Sequence, residues 1–311
     1  ADLSGFADSD KLTDWNRDAF AWCVGDGAAA YLSICAGRKD VESAHKCVGT
    51  GIIVTSLISI ALLIVCQIFA TPLMNLFGAS EQTLDMSVRY FRIIVAFFPF
   101  YLLLNVMNSM IRADGSPKFA MIAMLTGAIV NIILDPLFIF VFKWGIDGAA
   151  WATALGQCCS FALCVIYFFK PKSFVLSKES FKIDKTILGK TISLGAATFI
   201  TQIAIVIVTL ISNITLAHYG SISKYGQDIP ISIFSIQTKV FIVVCNITVG
   251  IVLGGQPIFG YNYGAHKYDR VKSAYKIVLI TLFFLQTNLL TFHKLRFLDL
   301  IFLLISEIFL S

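Results

Sequence analysis

Residues 119–142 read FAMIAMLTGAIVNIILDPLFIFVF, and how this stretch is read decides the fold. A helix of that length rises about 36 Å, enough to cross roughly 30 Å of hydrocarbon. Apart from Thr126, only Asn131 and Asp135 carry polar side chains within it. Working outward, seven further apolar runs of comparable character follow or precede it: Ala19–Ala36, Gly49–Phe69, Ile93–Met110, Gly148–Phe169, Thr191–Ala217, Ile229–Gly250 and Ile277–Leu290. The first carries Asp26 and the last is short, so these two are the weakest spans. Thr71-Pro72, Gly115-Ser116-Pro117, the segment Gly145–Gly148 and Tyr219-Gly220 each stand between two runs, where turn chemistry belongs. The pattern predicts an all-α polytopic membrane protein of about eight helices.

Composition agrees. Apolar residues make up 57% of the 311 and charged residues 14%, against roughly 45–50% and about 25% in soluble domains. The net charge of +5 comes from basic residues scattered between hydrophobic runs, with no basic stripe interleaved with aromatics, which excludes nucleic acid as a partner. The eight cysteines lie within or beside apolar runs, with no paired CxxC and no histidine at ligand spacing, and read as packing residues. The opening ADLSGFADSDKLTDWNRD lacks the basic start and apolar core of a signal peptide. Insertion is left to the internal helices.

Lysine and arginine on alternate loops orient the chain, because positive loops stay cytoplasmic. One set of loops holds Arg38, Lys39, Lys46, Arg112, Lys118, the six lysines from Lys170 to Lys190, then Lys267, Arg270, Lys272 and Lys276, fifteen in all. The other holds six: Lys11, Arg17, Arg89, Arg92, Lys143 and Lys224. The first set is cytoplasmic, and the chain reads as a multi-pass protein of the cell membrane.

Residues 170–190, KPKSFVLSKESFKIDKTILGK, form the longest strongly charged connection and divide the chain. Residues 1–169 read as a first helical bundle, 170–190 as a cytoplasmic linker and 191–311 as a partial second bundle. An internal echo supports the division: Ser43-Ala-His-Lys46 and Ser273-Ala-Tyr-Lys276 each follow a helix on the cytoplasmic side. Equivalent loops an even number of spans apart indicate a parallel duplication of a six-helix unit. On that count the first copy begins at its second helix and the second stops after its third. A truncated or frame-shifted reading is the expectation, and residues 291–311 have no echo in the first half.

Polar groups inside spans cost most and therefore point to function. Asn131 and Asp135 stand four residues apart on one helical face. A carboxylate at mid-span costs about 2.5–3.5 kcal/mol on insertion scales, so it binds a cation, takes up a proton, or is a structural group bonded to a neighbour beside the Pro136 kink. Asn108, Thr153 and Gln157 carry neutral oxygens for the same site or for hydrogen bonds between helices. Oxygen ligands at Asp135 and Asn131 suit Na⁺ or a proton relay and not Zn²⁺. Asp26, between Gly25 and Gly27, pairs with a neighbouring helix or sits in a cavity. Lys239 is a counter-charge in the second bundle or snorkels to an interface. The flanked Gly25-Asp26-Gly27 is no dinucleotide loop, the sequons at Asn213 and Asn246 lie within spans, and no phosphate-binding loop occurs.

Three segments, RADGSPKFAM (112–121), GAIVNIILDPLFIFVFKWGIDGAAWATALGQ (127–157) and GGQPIFGYNYGAHKYDRVKSA (254–274), resemble signature regions of the multidrug and toxic compound extrusion (MATE) family. The resemblance runs from about Asp26 to about Leu282. It implies two pseudo-symmetric six-helix bundles in a V around a central cavity, with this chain resembling helices 2 to 9. It implies Na⁺ or H⁺ as coupling ion, no cofactor, no obligate protein partner, and export of small organic cations or amphipathic drugs from the lipid bilayer's inner side. The family's first-bundle cation site carries over to Asn108, Asn131, Asp135 and Thr153. An acidic residue that the family's helix 1 contributes has no counterpart here, and where some relatives place a glutamate on helix 7 this chain offers Gln202 and Asn213. The first departure leaves the first-bundle site incomplete; the second favours coupling through the first bundle.

The alternatives are a lipid-linked oligosaccharide flippase of the same superfamily, an enzyme, or a nonfunctional fragment. The flippase would line its cavity with arginines, and the reading finds none inside a span. An enzyme would need a catalytic pair or a metal cluster at one depth, and none is visible, so the chain reads as a transporter.

Overall fold

A backbone in hydrocarbon must satisfy its hydrogen bonds within each segment, so apolar runs separated by glycine and proline turns fold as helices. The computed structural model describes residues 22–76, 84–172, 174, 178–222, 228–285 and 287. Ten α-helices are found among them: α1 (22–38), α2 (Val41–Ile68), α3 (Ala70–Leu76), α4 (Leu84–Ala96), α5 (Phe98–Ala113), α6 (Pro117–Pro136), α7 (Gly145–Phe168), α8 (Lys185–Ile222), α9 (Asp228–Gly264) and α10 (268–285). No strand occurs among the described residues. The segment 291–311 and the opening segment lie outside them.

Among the described residues α2, α6 with the turn that follows it, α7 and α8 are each long and apolar enough to cross a bilayer. The expected span Ile93–Met110 is the inner part of a longer bent unit. Here α4 and α5 meet at 50°, because Pro99 in the first turn of α5 has no N–H to continue the ladder. The arginines follow from this. Arg89 and Arg92 lie in α4 instead of an outer loop, and Arg112 lies inside α5, which corrects the expectation that no span contains an arginine.

A shared core joins α1, α2, α5, α6 and α7 through Leu32, Val48, Val106, Met110, Ala123 and Cys164, all buried. At the outer end Met74, Phe91, Val95, Phe98 and Leu102 make a second cluster. The far side of α6 presents Met121, Leu125, Ile129 and Ile132, the last 68% exposed, an apolar face whose natural solvent is lipid.

Two boundaries differ from the sequence reading. Helix α8 begins at Lys185, inside the segment 170–190, since the Asp184 carboxylate accepts hydrogen bonds from the Thr186 N–H (2.9 Å) and the Ile187 N–H (3.2 Å). Those N–H groups, Ile187 foremost, hold the carboxyl below its ordinary range. At its other end α8 runs through Tyr219-Gly220 to Ile222 without breaking.

The internal duplication has a structural counterpart. Lys39 adopts φ 59° and His266 φ 58°. Asp40 N–H bonds Cys35 O (3.0 Å) just as Lys267 N–H bonds Asn262 O (2.9 Å), and Lys39 and His266 repeat the inner bond to Ala36 and Tyr263. These are matching left-handed helix caps. The caps lie 227 residues apart, so the Ser-Ala-His-Lys and Ser-Ala-Tyr-Lys echo is one helical turn out of register with the fold.

The repeat also packs on itself. A Cβ added at Gly37 would overlap the Tyr261 carbonyl oxygen, and one at Gly264 would overlap the Ile34 carbonyl oxygen. Subtracting 227 from 264 and 261 returns 37 and 34, so α1 and α9 touch through equivalent positions about a pseudo-twofold axis.

Candidate functional site

Helices α6 and α7 run antiparallel and approach until backbones touch. The contact steps along both by about one turn. Ser160 Oγ donates to Ala123 O (2.8 Å), Gly127 and Gly156 meet where a Cβ on either would strike the other's carbonyl oxygen, and Asn131 Nδ2 donates to Thr153 Oγ1 (3.3 Å). The next step is Asp135. Its Oδ1 is buried and has no hydrogen-bond partner, and Asn131, one turn back, faces the same carboxyl group. Three of the four residues to which the resemblance assigns cation binding, Asn131, Asp135 and Thr153, therefore come together.

Immediately beyond lies Pro136, and the chain widens into a π-helical turn, Leu137–Val141, closed by the Phe142 N–H on Leu137 O (3.0 Å). Proline removes one ladder bond, and the wider turn re-satisfies the carbonyls it frees; such turns gather at functional sites. A carboxylate beside a loosened turn and next to two neutral oxygen-bearing side chains offers a hard cation or a proton an oxygen-rich position. Asp135 and Asn131 thus fit Na⁺ by donor type, with Thr153 Oγ1 adjacent.

Asn108 does not join them. The turn Asp114–Ser116 reverses the chain, so Asn108 faces Ala120: its Nδ2 donates to Ala120 O at 2.8 Å. Fifteen residues of α6 separate Ala120 from Asp135, about 22 Å along the helix. The Asn108 oxygen instead accepts from Arg112 Nη1 (2.7 Å), and Arg112 Nη2 donates to Ser109 Oγ (2.9 Å).

That arginine also answers the question of Asp26, which is buried with its Oδ1 3.7 Å from Arg112 Nη2. The pair is on the neighbouring-helix side of the two readings, and sequence reasoning missed the partner by ending the span at Met110. An acid in an apolar run was itself the signal that a cation must lie nearby. Above it, Gln256 of α9 donates to the Asp26 carbonyl oxygen (3.0 Å), tying the second half of the chain to the first.

The remaining candidates are dispersed. Gln157 sits one turn along α7 from Thr153 and is partly buried; Gln202 is partly buried on α8. Lys239 falls in α9, with its side chain outside the described residues. Among the described residues no three His, Cys, Asp or Glu side chains gather to hold a metal ion.

A buried anchor at the basic end was also unforeseen. The Tyr167 hydroxyl donates to Asp114 Oδ2 (2.6 Å) and lies 2.8 Å from Ser116 Oγ, while the Lys172 N–H donates to the same Asp114 oxygen (2.7 Å). It fixes the turn between α5 and α6 against the end of α7, and with it the register that carries Asp135 to the opposite end of α6.

Together the helices and their internal pairing define a polytopic helical membrane protein built on a duplicated scaffold. The MatE family profile matches residues 19–137. Multidrug export protein MepA of Staphylococcus aureus (strain N315) is 30% identical over 261 residues, 83% of this chain and 56% of the relative. MepA of Staphylococcus saprophyticus is 30% identical over 262 residues. The chain thus spans about half the length of these curated relatives.

Among solved structures, an outward-facing multidrug resistance MATE family transporter of the MOP superfamily superposes with TM-score 0.83 at 20% identity, over 94% of this chain and 66% of that one. A MATE in the straight conformation gives 0.82 at 20%, over 94% and 68%. The chain is similar to MATE transporters in sequence over these matched stretches and in fold over most of its length, and it is a multi-pass membrane protein.

Proposed function

We propose that this chain is the ion-coupling part of a secondary antiporter that exports cationic or amphipathic compounds in exchange for Na⁺ or H⁺. The observation that carries the proposal is the buried, unpartnered Oδ1 of Asp135 beside Asn131 and Thr153. A carboxylate with one buried oxygen left unpaired inside a span costs free energy unless something arrives to neutralise it, even with Asn131 beside the group. A cation or proton from outside does so, and its departure to the cytoplasm returns the cost.

Binding at Asp135 acts where α6 is least constrained, at Pro136 and the wide turn, so neutralising it shifts the balance between two packings of α6 on α7. One charge moving down about 150 mV is worth about 3.5 kcal/mol, a few-hundred-fold concentration ratio for the exported compound. The paired caps at Lys39 and His266 support two bundles of one duplicated unit, with α1–α7 in the first and α8–α10 in the second. The MepA relatives, named as multidrug exporters, support the substrate class.

The test is ethidium efflux from membrane vesicles carrying the protein, under imposed Na⁺ and proton gradients. Wild type extrudes dye with at least one gradient, and Asp135→Asn loses tenfold or more of the gradient-driven rate. Equal export by both proteins makes Asp135 a structural group and sinks the assignment.

A further inference from the structure

At the cytoplasmic end, away from Asp135, an open cavity of ≈ 480 Å³ lies between α1 and α8. Tyr31, Ile34 and Arg38 line it from α1, and Lys190, Ser193 and Leu194 from α8. Both charges on its wall are positive. Lys190 Nζ rests 3.5 Å from the Tyr31 hydroxyl and 5.4 Å from the centre of its ring. Neither Arg38 nor Lys190 forms a salt bridge with a described residue. Asp40, within electrostatic reach of both cations, caps α2, accepting from the Ser43 N–H at 3.0 Å.

The lining is graded by depth. Because α1 runs toward the cytoplasm and α8 away from it, one turn deeper means Ile34 below Arg38 and Leu194 below Lys190. Arg38 and Thr186 are therefore nearest the mouth, Ser193 and Leu194 lie deepest, and the Tyr31 hydroxyl stands between them, where Lys190 Nζ reaches it. Leu194 is 44% exposed, so this lower wall is open to an acyl chain. Gly189, at the mouth, has nothing within 4 Å of where a Cβ would sit.

We propose that the cavity binds the phosphate headgroup of an anionic phospholipid of the cytoplasmic leaflet, with Arg38 and Lys190 on the phosphate, the Tyr31 hydroxyl beside it and the first methylenes against Ile34 and Leu194. Basic pockets between spanning helices on this side are suited to such headgroups. A free phosphate would use the mouth and leave the aliphatic floor without a role. Since α1 and α8 come from different halves of the chain, the bound lipid clamps the two halves together.

The experiment is thermal unfolding of the purified protein in zwitterionic detergent, with short-chain phosphatidylglycerol, phosphatidylcholine of the same chains, or inorganic phosphate, alongside native mass spectrometry of retained lipid. Phosphatidylglycerol raises the midpoint and stays bound; the other two do neither at equal concentration. In Arg38→Gln/Lys190→Gln the apparent affinity falls on the order of 30-fold, the effect of removing two basic residues at an anionic surface. In Lys272→Gln/Lys276→Gln, on α10 at the same end, it is unchanged.

Both arginine and lysine are exposed, so the double variant folds. As an independent reading, maleimide labelling of Ser193→Cys is slowed by phosphatidylglycerol and not by phosphatidylcholine. Equal shifts from the two lipids, an equal shift from inorganic phosphate, or undiminished binding by the double variant would each overturn the proposal.

Discussion

Asp135 is placed by its spacing and set at a loosened turn by its neighbour. Four residues after Asn131 it falls on the face that meets α7, and Pro136 behind it denies the helix the bond that would have tightened around it. The pair was legible from residue order alone because the helical period fixes which side chains share a face. Asn108 was not, since family position says nothing of depth. Yet the hairpin register at Asp114–Ser116 puts residue 108 opposite 120, and that alone separates it from Asp135.

Asp26 and Arg112 show the complementary case, an acid whose partner is on another helix and could not be found by spacing. Removing one partner leaves the other charge uncompensated. Asp26→Asn is expected to cost about 1–3 kcal/mol, less than a fully buried pair because Arg112 keeps a fifth of its side chain exposed. Arg112→Met costs a similar amount, and the double variant costs less than the two combined. Denaturation midpoints of the four proteins check the cycle; strict additivity rules out the pairing.

Elements were easier to find than to delimit. All the apolar runs reappear as helices where residues are described, but the bend at Phe97, the wide turn after Pro136 and the early start of α8 each depend on one or two hydrogen bonds gained or lost. Hydropathy averages over such bonds. Packing between elements is decided just as locally, with Gly127 and Gly156 allowing α6 and α7 to touch. In Gly156→Ala the new methyl meets Gly127 O at 2.6 Å and the Asn131 Cβ at 3.3 Å, forcing the helices apart at a cost of about 1–3 kcal/mol. Gly189→Ala, in open space within α8, instead stabilises by roughly 0.5–1 kcal/mol. Thermal unfolding of the two single variants distinguishes them: a shift of the same sign in both contradicts the packing described.

At the scale of the molecule, the sequence revealed that the chain repeats but misjudged the register by one turn, because short polar matches slide along a helix while a left-handed cap does not. The correct offset makes Gly37 and Gly264 counterparts. Gly37→Val and Gly264→Val should therefore weaken the α1–α9 contact alike, each lowering the yield of an engineered cysteine cross-link between the two helices several-fold. Unequal losses would mean the pseudo-symmetry is only apparent.

The same contact bears on how such a chain can assemble. Each half carries both the glycine and the carbonyl that the other half requires, which is the signature of an isologous interface. Two unfused copies of one unit already possess everything needed to dock as a twofold dimer through this helix. The covalent connection raises their effective concentration without supplying any new contact, and frees the two copies to diverge in sequence.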